Sequence, residues 1–211
     1  MKTAAIACEG LRHTYRKRKF FGEERATLAL DGLNLAIEPN CVYGLLGPNG
    51  SGKTTLVRVL STLLIPTSGS AAVMGHDVLR DASAVRRKIG LVLGGDRGLY
   101  GRLSGRDNLL YFAALNNIPA PIAEQRADSL FERVGLFDRR LHLVDEYSRG
   151  MKQRLHIARG LMTDPDVIFL DEPTIGLDPA SSADVRQIVV DLRASGKTIL
   201  LTTHYMLEAD A

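Results

Sequence analysis

The chain has 211 residues, 45% of them hydrophobic and 24% charged, which suits one globular domain or a core with one inserted lobe. Lys and Arg total 27 and Asp and Glu total 24, and the net charge of +3 is too mild to argue for nucleic acid by itself. No run of about 18 apolar residues is present to span a membrane, since the best candidate, Val57 to Val73, is broken by Arg58, Pro66 and Ser68-Gly69-Ser70.

At the start, "MKTAAIACEG" offers an apolar run of only Ala4 to Cys8 before Glu9. That falls short of the roughly seven residues a signal-peptide core needs. Cys8 and Cys41 have no metal-ligand spacing and read as free thiols in a reducing compartment. The expectation is a cytosolic chain with no signal peptide and no transmembrane segment.

Leu28, Leu30, Leu33, Leu35 and Ile37 fall near period two, with Asp31-Gly32 as a break, which predicts strands. The intervening "RKRKFFGEER" reads as a solvated hairpin tip rather than a nucleic-acid patch, because its acidic half offsets its basic half. "CVYGLLG" is a short buried strand. From Gly52 onward, Leu56, Val59, Leu60 and Leu63 have helical spacing, and Pro66 is expected to end that helix. "KIGLVL" is another buried strand. From Ser104 to Glu146 the pattern turns helical throughout. Ser104 to Asp107 has the form of a capping box, with Asp in place of the usual Glu. Leu109, Leu110, Phe112, Ala113 and Leu115 follow on one helical face, Pro119 and Pro121 separate the next helix, and Gly135 closes it. Strands then return in "DVIFLDEP" and "KTILLTTH", flanking a helix near Pro179 to Arg193. Alternating strands and helices imply a parallel sheet with crossovers, into which the helical middle is inserted.

Three strand ends carry chemistry. "GPNGSGKTT", which is Gly47, Pro48, Asn49, Gly50, Ser51, Gly52, Lys53, Thr54 and Thr55, fits the pattern G-x-x-x-x-G-K-[ST] between a strand and a helix. Its glycines let backbone N–H groups curl inward around phosphate oxygens, and the helix N-terminus adds a favourable dipole. Lys53 then reaches the β- and γ-phosphates, Thr54 offers a hydroxyl to Mg²⁺, and Thr55 can donate to the α-phosphate. The bland alternative is a Gly-rich strand-to-helix turn. In "VIFLDEP", Asp171 and Glu172 stand at a strand's C-terminal end, the edge where open α/β sheets bind ligands. Asp171 can hold Mg²⁺ through water, and Glu172 is placed to polarise an attacking water. Plain solvated carboxylates are the alternative there. His204, ending "LLTTH", is placed for a γ-phosphate contact.

A further turn, "YSRGMKQR", heads another helix. Its Ser148 can cap that helix and donate to phosphate, and its Gly150 permits close backbone approach.

With these residues in hand, the sequence resembles the ATPase subunits of ABC transporters over essentially its whole length, and the motifs stand in the family's order. Walker A is Gly47 to Thr55, the signature is Tyr147 to Met151, and Walker B is Val167 to Asp171, followed by Glu172. The D-loop is Ile175 to Asp178, and His204 is the switch histidine. Tyr15 sits where the family places an aromatic that stacks on adenine, and the Asp31-Gly32 and Pro66 to Ser70 stretches match as well. The resemblance implies an α/β fold: a P-loop NTPase core with a mainly parallel sheet, an antiparallel β-subdomain and an inserted helical subdomain. Residues 1–211 would then be a single ABC ATPase domain. Residues 1–94 and 164–211 would form the nucleotide-binding core with the β-subdomain, and 95–163 the helical subdomain with the signature.

It also implies ATP and Mg²⁺, with Lys53, Glu172 and His204 catalytic and Thr54 and Asp171 on the metal side. Two such domains, as a homodimer or pseudo-dimer, would close head to tail over two ATP molecules. Each ATP would lie between one chain's Walker A and the other chain's Ser148, Arg149 and Gly150, with Asp178 in the adjoining loop. Closure would drive separate transmembrane permease subunits from the cytoplasmic side of the cell membrane, where the chain would sit peripherally. "YSRGMKQRL" and "DEPTIGLDP" look most like the drug- and antibiotic-exporter branch.

The alternative is a soluble ABC-type ATPase acting on a macromolecule such as the ribosome or DNA. Those usually carry two ATPase halves or a long coiled-coil insertion, for which this helical middle is too short. A small-molecule P-loop kinase would not need the Ser148-Gly150 turn or the Asp178 loop, and no nucleic acid partner is expected.

Three features depart from the family pattern. The signature is Y-S-R-G-M rather than L-S-G-G-Q, so Arg149 replaces a glycine and either points to solvent or adds charge near the partner's γ-phosphate. The Gln that normally follows "IGLVL" is missing from "GGDRG", where Asp96 either takes over the metal-side contact or is an ordinary turn residue. Finally, the chain stops at Ala211 inside the helix expected after His204, so the expected fold is C-terminally truncated.

Overall fold

The structure is a computed structural model that describes residues 4–17, 25–93 and 98–204. Two four-stranded sheets organise it. One is antiparallel, in the order β2-β1-β4-β5, and is built from β1 (Ile6–Lys17), β2 (Arg25–Ile37), β4 (Ser68–Val73) and β5 (His76–Asp77). The other is parallel, in the order β3-β8-β7-β6, and is built from β3 (Val42–Leu46), β6 (Ile89–Val92), β7 (Val167–Asp171) and β8 (Thr198–Thr203). The helices are α1 (Lys53–Leu60), α2 (Ala82–Lys88), α3 (Gly105–Leu115), α4 (Ala120–Arg133), α5 (Arg149–Leu161) and α6 (Pro179–Ala194).

Every residue of β7 and β8 is buried, as expected for parallel strands covered on both faces. Alternation along them feeds two cores. Ile168, Leu170, Ile199 and Leu201 face a core shared with α3 to α6, around Phe131, Leu155 and Ile157. Val167, Phe169 and Leu200 face a second core with α1 and the antiparallel sheet, around Ile6, Leu11, Leu56 and Leu60. The helical middle therefore packs directly onto the parallel sheet. Where α5 crosses β6 the approach is close: a methyl on Gly90 would overlap the Gly160 carbonyl oxygen and crowd Pro165.

Two local expectations are corrected. Asp31-Gly32 is not a break between strands. Leu11 pairs with Leu33 and His13 with Leu30, so Asp31 and Gly32 together oppose Arg12 as a bulge within β2. Gly32 takes φ +66°, and Arg12 Nη2 lies 3.3 Å from Asp31 Oδ1 across the bulge. The hairpin tip at residues 18–24 lies outside the described residues. Second, α1 stops at Leu60 rather than running to Pro66. Thr62 turns left-handed at φ +64°, and the N–H groups of Leu63 and Leu64 both fold back onto Arg58 O. Leu63, assigned by spacing to the helix's apolar face, is instead exposed beyond it.

The stretch after β6 is helical but interrupted. Single 3₁₀ turns at Phe137–Arg139 and Val144–Glu146 link α4 to α5. Ser104 caps α3 as expected, accepting from Asp107 N at 3.0 Å. Asp107 does not complete a capping box: its carboxylate accepts from the Ser104 hydroxyl at 2.6 Å. Asn108, fully buried, bonds Tyr100 through both its amide oxygen and nitrogen and so fixes the segment leading into α3.

Gly90→Ala tests the α5–β6 approach. Its φ is ordinary, so the substitution acts through overpacking and should cost about 1–3 kcal/mol, read as a lower urea midpoint with an unchanged m-value.

Candidate active site

The C-terminal ends of β3, β7 and β8 meet at one edge of the parallel sheet, and the site is built there. After β3 the chain turns through Gly47–Gly52 into α1. Gly50 and Gly52 take φ +85° and +93°, and a side chain on Gly52 would overlap the Ala29 carbonyl oxygen of β2. The loop thus needs glycine both for its left-handed turns and for its seat against the antiparallel sheet. No side chain caps α1. The amides of its first turn are free of helical partners by geometry, which makes them an anion cradle. Lys53, buried, curls back so that Nζ donates to Gly47 O at 2.6 Å and Pro48 O at 3.0 Å.

Asp171 ends β7. Its carboxylate accepts from Thr54 Oγ1 at 3.0 and 3.2 Å and from Thr202 Oγ1 at 2.5 Å. Three elements, α1, β7 and β8, are thereby joined at one carboxylate. Glu172 follows in the left-handed region at φ +51°, which an L side chain rarely adopts. Its N–H donates to Thr202 O at 3.0 Å and to Thr202 Oγ1 at 3.1 Å. His204 Nδ1 lies 3.4 Å from Glu172 Oε1.

A cavity of about 660 Å³ opens over this edge, lined among others by Asn49, Thr54, Asp171 and Glu172 together with Arg58, Arg149 and Arg159. Three arginines against two carboxylates in the lining make a net cationic recess suited to a polyanion. A second cavity, of about 260 Å³, shares Asn49, Thr54 and Glu172 with it and continues past Lys53 and Thr55 to Tyr15. The Tyr15 ring packs edge-on against His13 with centroids 4.6 Å apart, and its hydroxyl lies 3.3 Å from Thr55 Oγ1. Tyr15, Lys53, Thr54, Thr55 and Glu172 thus line the smaller cavity, and Asp171 lines the larger one that shares Thr54 and Glu172 with it.

Of the signature turn only Arg149 lines one of these cavities. Ser148 is exposed, caps α5 by accepting from Met151 N at 3.2 Å, and lines neither cavity. Gly150 is buried, and a methyl there would overlap Ser181 Oγ at the head of α6. Asp178 caps α6, and the Ser181 hydroxyl and N–H, at 2.6 and 2.9 Å, hold its carboxyl below the ordinary range. Arg149 is exposed, and its guanidinium lies against Gly176. Asp96 lies outside the described residues.

Thr202, Arg58 and Arg159 were not singled out from the sequence. Thr202 left a signal, a hydroxyl pair at the C-terminal end of a mostly apolar strand. Arg159 left none: its place rests on the Gly98 carbonyl, to which Nη1 donates at 2.6 Å, and on the Phe112 ring, 4.8 Å away.

The Thr54 hydroxyl and Asp171 carboxylate are hard oxygen donors facing the cavity, the type that suits Mg²⁺ when substrate phosphates complete the shell. Among the described residues no cluster of three or more His, Cys, Asp or Glu could hold a metal by itself. No helix among them is long and apolar enough to cross a membrane.

A family model described as ABC transporter matches residues 30–175. The chain is 49% identical over 210 residues to the daunorubicin resistance ATP-binding protein DrrA3 of Streptomyces coeruleorubidus, covering all of this chain and 63% of the relative. It is 39% identical over 194 residues to the ABC transporter ATP-binding protein NatA of Bacillus subtilis, covering 92% of this chain and 79% of NatA. The chain spans about 60% of the length of several of the drug-resistance relatives it matches. Among solved structures, cbiO1 from Clostridium perfringens, part of the ABC transporter complex cbiONQ, superposes with a TM-score of 0.84 at 27% identity, covering 99% of this chain and 83% of that one. The ATP-binding cassette MJ0796, solved as a dimer in a post-hydrolysis state bound to ADP and Pi, superposes with a TM-score of 0.82 at 27% identity, covering 97% and 90%.

Thr202→Val is nearly isosteric but leaves Asp171 without its shortest donor and Glu172 N–H with one acceptor fewer. It should cost about 1–3 kcal/mol in denaturant unfolding, while Thr202→Ser stays close to the parent.

Proposed function

The chain belongs to the ABC transporter family, and we propose that it binds and hydrolyses ATP to power export through separate membrane subunits. The observation that carries the reading is the pair of adjoining cavities that run from Tyr15 past Lys53 to Glu172 and the hydroxyl-clamped Asp171. They have an aromatic at one end for a base, an anion cradle with a lysine in the middle, and a carboxylate at the far end for a water.

In this reading Tyr15 stacks on adenine while residues 47–55 wrap the phosphates. Lys53 exchanges its two loop carbonyls for phosphate oxygens. Thr54 and Asp171 would hold Mg²⁺, whose charge would offset that of the phosphates. Glu172 accepts a proton from the attacking water, and His204, beside its carboxylate, orients toward the γ-phosphate. Ser148 and Gly150 line neither of the chain's own cavities, which supports their use in trans, on an ATP held by a second copy or a homologous domain. Asp178 caps the helix whose Ser181 lies against Gly150. The division into a core of 1–94 and 164–211 and a helical subdomain of 95–163 follows the same reading, with closure of the paired domains driving the permease. The similarity to DrrA3 and DrrA, which are named for daunorubicin and doxorubicin resistance, supports a drug-like cargo and a peripheral place on the cytoplasmic side of the membrane.

Glu172→Gln should lower ATP turnover by about 10²–10⁴ while nucleotide still binds, and should accumulate an ATP-bound dimer in gel filtration. Wild-type turnover in that variant would overturn the assignment of the base. Affinity capture of the whole protein from detergent-solubilised membranes should bring down a polytopic membrane protein. Recovery with ribosomes or DNA instead would support the soluble alternative.

A further inference from the structure

We infer that Arg149 serves the ATP site of its own chain, as a positioning residue for Glu172, while the adjacent Ser148 serves the site of the partner. The inference deepens the composite-site reading above and rests on it.

Arg149 is the first residue of α5, and that helix has no acidic residue in its first turn. A cation there meets the positive end of the helix dipole, so the helix itself gives it no favourable partner. Its contact is Gly176. A methyl built on Gly176 would overlap Nη1, Cζ and Nη2 of Arg149, so the guanidinium occupies the space a side chain would take there. Gly176 is left-handed at φ +67°, and its lack of a side chain makes room for the fork.

The covered glycine belongs to the turn that leaves Glu172. Ile175 N donates back to Glu172 O at 3.3 Å, and Leu177 N to Thr174 O at 3.1 Å. Glu172 itself sits at φ +51°, a conformation that persists only where its surroundings hold it. On one side Thr202 holds its N–H through two acceptors, and on the other the 172–177 turn carries Gly176, against which the Arg149 guanidinium lies. Arg149 also lines the cavity that contains its own chain's Thr54, Asp171 and Glu172, which Ser148 does not. Two consecutive residues therefore face different sites: the serine toward an incoming partner and the arginine toward the chain's own base.

The test uses a heterodimer of two differently tagged copies of the whole protein. One copy carries Lys53→Ala and the other Ser148→Ala, which leaves a single complete site: the Walker A of the second copy with the Ser148 of the first. Arg149→Ala is then added to either copy. Placed in the copy that holds the nucleotide, it should lower kcat about 10- to 100-fold, with KM for ATP within about twofold of the control. Placed in the copy that lends Ser148, its effect should stay within about twofold. A larger loss from the lending copy, or equal losses from both, overturns the inference. Arg149→Lys keeps the charge without the planar fork and should fall with the alanine variant; full activity would overturn the contact with Gly176. An inactive control heterodimer overturns the composite-site reading itself, and the inference with it.

Discussion

Asp171 is a buried carboxylate whose environment is made from parts far apart in the chain. Thr54 reaches it from the first turn of α1 and Thr202 from the neighbouring strand. A buried charge is tolerable only when hydrogen-bonded, and two hydroxyls meet that requirement at the cost of fixing α1, β7 and β8 relative to one another. The phosphate loop inherits its position from this clamp, because it is the segment between β3 and α1. Glu172 inherits its position too, since the same Thr202 that serves Asp171 also accepts the Glu172 N–H. The site is rigid where charge must be placed.

Much of this was legible in the chain. The strand-loop-helix of Gly47 to Thr55, the carboxylates ending β7 and the histidine after β8 are sequence-local, and the parallel sheet places their strand ends at one edge. Burial on both faces of β7 was written in "VIFL" itself. What could not be read depended on contacts across the fold. The Asp31-Gly32 bulge looked like a strand break because glycine and aspartate are turn residues. The pairing of Arg12 against both is a property of the partner strand. The α1 helix ended before its hydrophobic spacing did, because a left-handed Thr62 intervened and spacing carries no information about φ.

The signature segment shows the same limit at finer scale. Gly150 was read for its approach to phosphate, yet within the chain it is where α5 meets Ser181 of α6. In the proposed reading one small residue answers two demands, one between helices and one toward a ligand. Arg149 reads from sequence as an intruder at a glycine position. In the fold it has a glycine of its own to lie on, at Gly176.

The order of the parallel sheet governs how the protein must be made. Its central strands, β7 and β8, come from residues 167–203, while its flanking strands come from residues 42–46 and 89–92. Val42 pairs with Ile199, and Ile89 with Val167. During synthesis β3 and β6 emerge first, with nothing to pair with, and the hydrophobic edges they present wait for a strand not yet translated. Contacts of such long range close slowly, because loop entropy is lost before pairing compensates it. The ribosome must therefore deliver most of the chain before either half of the nucleotide edge exists, and in that interval the exposed strands are natural clients for chaperones.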